Sequence, residues 1–87
     1  MFTVYLLHSP SHNKIYIGFT SDLENRLKSH NIFASKGWTI QFRPWDLIYT
    51  EDFATKAEAM KREKNLKGAK GREEIWNMIK FKKKVIV

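Results

Sequence analysis

The chain contains no cysteine in its 87 residues. That excludes a disulfide framework and any zinc site built on thiolates, and it fits a reducing compartment. Long apolar runs are also missing. No stretch approaches the ~20 apolar residues of a membrane span, and the opening MFTVYLLHSP lacks the basic flank and extended apolar core of a secretory leader. A cytoplasmic protein with no membrane association is therefore expected. The length fits one domain, because two cores would each be too small to offset the entropy of ordering the chain. No internal repeat divides it.

Apolar residues make up 43% of the chain and are spread along it, which predicts a folded core. Sixteen Lys and Arg against nine Asp and Glu leave a net charge of +7, a strong bias toward polyanions. Most of the cations fall between Lys56 and Lys84, interleaved with acids, and the ending KFKKKVIV is too short to anchor in a membrane. Nucleic acid is the favoured partner. The domain is expected over residues 1–81, followed by a basic tail over 82–87.

FTVYLL and KIYIGF are β-prone runs separated by HSPSHN, a turn-like cluster. A hairpin pairing Tyr5 with Tyr16 puts Phe2, Val4, Leu6, Ile15, Ile17 and Phe19 on one face. Thr3, Tyr5, Lys14, Tyr16 and Gly18 take the other, since side chains alternate along a strand. Two phenols then share the less apolar face. Ser21 with Glu24 reads as a capping box that starts a helix running to about Asn31, with Leu23 and Leu27 as its packing stripe. Arg26 and His30, four apart, lie within one turn at the border of that stripe.

Residues 32–43 show no clean period and read as a loop. Pro44 precedes a third strand over Trp45 to Thr50. Thr55 and Glu58 form a second capping box, opening a helix to about Lys67. Its wheel groups Ala59, Glu63 and Leu66, with Met60 beside them, so a carboxylate stands inside the apolar stripe. Such a group must be paired, hydrogen-bonded or metal-bound; Lys67, four residues on, is the simplest partner. Gly68 and Gly71 break the chain before a last helix from about Arg72, packed through Ile75, Trp76 and Ile79. The expected fold is α+β: a three-stranded antiparallel sheet flanked by three helices, in the order β-β-α-β-α-α.

Taken together, these residues resemble the GIY-YIG nuclease family. The first signature stands as Thr3-Val4-Tyr5, keeping only its tyrosine, and the second is the intact Tyr16-Ile17-Gly18. FTSDLENRLKSHN supplies the arginine ten residues after Tyr16, at Arg26, and the helical histidine at His30. PWDLIY, KAEAMKREKNLKG and KGREEIW are similar to the small stand-alone bacterial branch, related to the amino-terminal domain of the repair excinuclease C subunit.

The resemblance implies metal-dependent hydrolysis of phosphodiesters, with DNA favoured over RNA and with repair or mobile DNA as the candidate settings; the sequence does not give the oligomeric state, and a monomer is the default. It implies Tyr5, Tyr16, Arg26, His30 and Glu63 as catalytic residues, with Glu63 holding one Mg²⁺ or Mn²⁺. Lys14, Lys36, Lys67, Lys70 and Arg72 are the expected nucleic-acid contacts. Hydrolysis needs an in-line water, a proton acceptor and charge stabilisation at phosphorus. Arg26 has the planar fork for a phosphate oxygen, Glu63 is a hard oxygen ligand, and the two phenols would orient the water. His30 would relay a proton or contact phosphate. Which tyrosine serves the water is open at this level. Two other classes stay open beside the nuclease. One is a binding module of the same fold with little catalysis. The other is an accessory subunit docking through Trp38 and Trp45.

Overall fold

The computed structural model of the chain describes residues 1–33 and 37–86. Strands β1 (Phe2–Ser9), β2 (Lys14–Thr20) and β3 (Asp46–Phe53) form one antiparallel sheet in the order β2-β1-β3. The helices are α1 (Leu23–Lys28), α2 (Lys56–Lys67) and α3 (Ala69–Ile86). The expected element order is the one found.

Central β1 is covered on both faces, as its near-continuous apolar run requires. On one face Val4, Leu6, Ile15 and Ile17 pack with Ala59, Leu66, Ile75 and Ile79 of α2 and α3. On the other, Tyr5, Leu7 and Trp45 pack with Tyr16, Leu23, Leu27 and Phe42. The face expected to be less apolar is thus a second core, built from aromatic rings.

The hairpin register differs from the expected one by two residues. Tyr5 lies opposite Gly18, Leu6 opposite Ile17 and Leu7 opposite Tyr16. The turn is confined to 10–13, with Asn13 at φ 53°, a left-handed conformation that asparagine tolerates. The strands therefore extend further toward the turn than the pattern implied. A slip of two preserves the facing of every side chain, so Tyr5 and Tyr16 remain on one face.

Other boundaries also move. Asp22, not Ser21, caps α1 by accepting from the Asn25 N–H at 3.2 Å. Glu24 pairs instead with Lys28 at 3.5 Å. After Lys28 the helix widens into a π turn, Ser29–Phe33. The stretch expected to be a loop contains a 3₁₀ helix, Trp38–Phe42. Strand β3 begins after Trp45 and runs on to Phe53.

The Thr55–Glu58 capping box is present as expected. On α2, Ala59 and Leu66 are buried, whereas Met60 faces solvent. Helix α3 begins at Ala69 and continues to Ile86, through residues expected to form a tail.

Gly71 is not a chain break but a close contact inside α3. A Cβ there would sit 2.6 Å from the Cα and carbonyl oxygen of Leu66, backbone atoms that no side-chain rotation can move. Gly71→Ala is therefore expected to destabilise despite alanine's better helix propensity. The expected loss is about 1–3 kcal/mol, the range for overpacking, read as a lower denaturant midpoint at unchanged slope.

Candidate active site

The aromatic face of the sheet carries the cluster. Tyr5 projects from the middle of β1 and is fully buried. Its ring crosses the β2 backbone at Gly18, where a Cβ would stand 2.7 Å from the Tyr5 hydroxyl and 2.8 Å from Cζ. The glycine two residues after Tyr16 is the space that the first tyrosine fills.

Tyr16 stands beside it on β2, with ring centroids 6.1 Å apart. His30, on the π turn, closes the group: its Nε2 lies 2.9 Å from the Tyr5 hydroxyl, and its ring centroid lies 4.8 Å from that of Tyr16. Arg26 comes from the last turn of α1. Tyr16, Arg26, Ser29, His30, Gly37, Trp38 and Thr39 line a cleft of about 300 Å³.

Burial pushes the Tyr5 phenol up to about 12, with the neighbouring Tyr16 adding to the rise; hydrogen bonding and charge from Arg26 oppose it. His30 is shifted below its ordinary value, first by burial and then by the Arg26 and Arg43 charges. Both groups are neutral at neutral pH. Tyr5 is therefore not a base waiting to be used; ionised Tyr5 is scarce.

A raised phenol pKa means that the folded chain keeps its proton longer than the unfolded chain does. The resulting stabilisation is complete below about pH 10 and disappears as pH climbs from about 10 to about 12. Tyr5→Phe should remove most of that alkaline loss, on the order of 2 kcal/mol, in stability curves measured across this range. Phenolate absorbance should show one late-titrating group missing in the variant.

Glu63 does not line the cleft of Tyr16, Arg26 and His30. Its side chain is 21% exposed, and its carboxylate pairs with Lys67 at 3.6 Å. Lys67 in turn lines a second cleft, of about 180 Å³, with Ile15, Tyr16, Ile17 and Arg72. Tyr16 thus borders both clefts, half-buried, while Tyr5 lies behind it.

Of the expected nucleic-acid contacts, Lys67 and Arg72 line the second cleft. Lys14 lies over the Phe42 ring at 5.7 Å, and Lys70 is exposed on α3. Lys36 lies outside the described residues. Trp45 is buried in the core and offers no docking surface, whereas Trp38 is 48% exposed at the rim of the first cleft.

Sequence reading missed the groups that hold the π turn. The Asn31 side chain accepts from the Trp45 N–H at 2.7 Å and donates to the Trp45 carbonyl at 3.2 Å. Arg43 donates to the carbonyls of His30 at 2.6 Å and Ser29 at 3.1 Å. Thr39 Oγ1 lies 3.3 Å from His30 Nδ1. The one visible signal is Asn31 directly following His30.

The GIY-YIG catalytic domain description matches residues 1–78. The chain belongs to this family. Among its relatives, a UPF0213 protein of Bacillus velezensis is 44% identical over 55 residues, covering 63% of this chain and 56% of that protein. The UPF0213 protein YazA of Bacillus subtilis is 45% identical over 51 residues, covering 59% and 52%. The match thus spans just over half the length of these relatives.

The solution structure of the UPF0213 protein BH0048 from Bacillus halodurans superposes with a TM-score of 0.54 at 27% identity, covering 90% of this chain and 85% of that one. The matched description is of a catalytic domain, and the family is nuclease-type. Among the described residues, no helix is long and apolar enough to cross a membrane.

Proposed function

We propose that the protein is a metal-dependent endonuclease that hydrolyses phosphodiester bonds of DNA. The observation carrying this reading is the convergence of Tyr16, Arg26 and His30 on one cleft, with Tyr5 bonded to His30 behind them. Arg26 takes a non-bridging phosphate oxygen with its planar fork. Tyr16, the phenol that borders both clefts, orients the attacking water. His30, neutral and hydrogen-bonded to Tyr5, keeps one ring lone pair and so the capacity to accept a proton that the water loses, directly or through the Tyr5 hydroxyl. Tyr5 holds the His30 ring in place.

Among the described residues, no three or more His, Asp or Glu side chains converge as a ready-made metal cage. Glu63 nevertheless fits a hard divalent cation. Its carboxylate is within reach of solvent, and Mg²⁺ characteristically keeps most of its waters and takes one or two carboxylates plus substrate oxygens. Glu63 would hold the ion, which supplies charge neutralisation at the phosphate. Lys67 would have to release the carboxylate first.

The deciding experiment incubates purified protein with supercoiled, single-stranded and branched DNA, with Mg²⁺, with Mn²⁺ and with chelator. Cleavage that requires the metal is expected. No cleavage of any substrate under any of these conditions would overturn the reading in favour of a binding module. Binding itself should weaken log-linearly with salt, and Arg72→Gln should flatten the slope by about one unit if Arg72 neutralises one phosphate. An unchanged slope would remove Arg72 from the interface.

A further inference from the structure

A neutral imidazole has one N–H and one lone pair, and which nitrogen carries which decides what the ring can do. His30 has its backbone pinned by Arg43, and Asn31 beside it is pinned to Trp45. The ring's hydrogen bonds among the described residues run to two hydroxyls on opposite edges: Tyr5 at Nε2 and Thr39 at Nδ1. Either hydroxyl could in principle donate or accept, so the neighbours must decide.

A phenol is more acidic than an alkyl hydroxyl and so the better donor, and the Tyr5 contact with the ring, 2.9 Å against 3.3 Å for Thr39, is the shorter. The Tyr5 proton is then available to Nε2 of His30. Nε2 must be bare to receive it, and the ring proton falls to Nδ1, facing Thr39. We propose that Thr39 is a positioning residue of this site, whose hydroxyl accepts the Nδ1–H of His30 and so keeps the lone pair of Nε2 on the side of the two tyrosines.

The fold holds Thr39 for this task. It lies in the first turn of the 3₁₀ helix, and its carbonyl accepts from the indole N–H of buried Trp45 at 2.8 Å. The helix is entered through Gly37 at φ 121° and ψ 163°, a region of backbone space open essentially to glycine alone. In the opposite tautomer the lone pair would face Thr39, and the phenol side of the ring would present only a donor. A site needing a proton acceptor beside Tyr16 would then have none. The same logic, a third group that fixes the tautomer of a working histidine, governs hydrolytic triads.

The test is spectroscopic first. Long-range ¹H–¹⁵N correlation on protein with labelled histidine reports the protonation of each ring nitrogen. Wild-type His30 is expected to show a protonated Nδ1 and a bare Nε2. Thr39→Ser should retain that pattern. Thr39→Val keeps the shape and the backbone bond to Trp45, but it should lose the preference, giving a mixture or the inverted tautomer. A wild-type spectrum with bare Nδ1 overturns the proposal without any variant, as does an unchanged tautomer in a folded Thr39→Val.

The consequence for turnover rests on the nuclease reading. Thr39→Val should lower kcat by about 10-fold to 100-fold, the scale for removing a group that orients a site histidine, with KM nearly unchanged and recovery in Thr39→Ser. Equal turnover in the two variants would overturn the functional half of the proposal. Wild-type protein that never cleaves would sink the nuclease reading and leave the tautomer result to stand or fall by itself.

Discussion

Glu63→Gln is expected to lower cleavage by roughly 100-fold or more while leaving the fold and the affinity for DNA almost unchanged. The substitution keeps the volume and removes the charge. Glu63 is about a fifth exposed, and its partner Lys67 is half exposed at 3.6 Å, so the ion pair is a surface one. Such pairs contribute about 0–1 kcal/mol, and losing this one should move the melting temperature little. A metal ligand behaves differently. Its loss removes charge stabilisation where the phosphate develops negative charge, and among the described residues no cluster of three or more His, Asp or Glu stands by to replace it.

Three measurements separate the roles: cleavage rate, melting temperature, and Mn²⁺ affinity by calorimetry. Metal ligation gives a large loss in the first and third with little change in the second. A Glu63 that only pairs with Lys67 leaves the first and third at their wild-type values. A folded Glu63→Gln that cuts at the wild-type rate removes the metal from this carboxylate.

The sequence was informative where side chains repeat and uninformative where they do not. Facing along β1 and β2 followed from alternation, because the aliphatic residues other than Leu7 share one parity. The pairing partner did not follow, since a slip of two residues changes every partner and no face. The turn decides it, through Asn13 at positive φ. The capping box at Thr55 was readable because its two members are three apart and nothing nearby competes. At α1, Ser21 and Asp22 are adjacent and equally good caps, and the aspartate prevails.

The stretches 29–33 and 37–45 were illegible for a physical reason. They are held by side chain–backbone bonds from Asn31 and Arg43 and by the Trp45 indole on the Thr39 carbonyl, none of which has a period. His30 could be placed near Arg26 by helical spacing. Its bond to Tyr5, twenty-five residues away in the chain, could not be read locally. Glu63 and Lys67 were legible as a pair at i, i+4, and the pair is present.

Arg26→Lys should separate binding from chemistry at the aromatic cleft. Lysine keeps the positive charge on the last turn of α1 but presents a single ammonium in place of a planar fork with five donors. In the wild-type site the guanidinium faces two demands: it lines the cleft where the phosphate would lie, and it opposes the rise of the buried Tyr5 phenol. A point charge serves the first partly and the second poorly. Ground-state affinity depends mainly on net charge near the phosphates, so binding should weaken by no more than about threefold at fixed salt. Cleavage depends on donors aimed at the charge that grows in the transition state, and single-turnover rates should fall by about 100-fold to 1,000-fold.

The guanidinium opposes the rise of the Tyr5 phenol, so replacing it should leave that phenol still harder to ionise, an optical signature independent of turnover. Parallel losses in affinity and rate would make Arg26 a uniform binding contact. Near-wild-type cleavage by Arg26→Lys would show that a simple cation suffices there, and the fork would play no part in the chemistry.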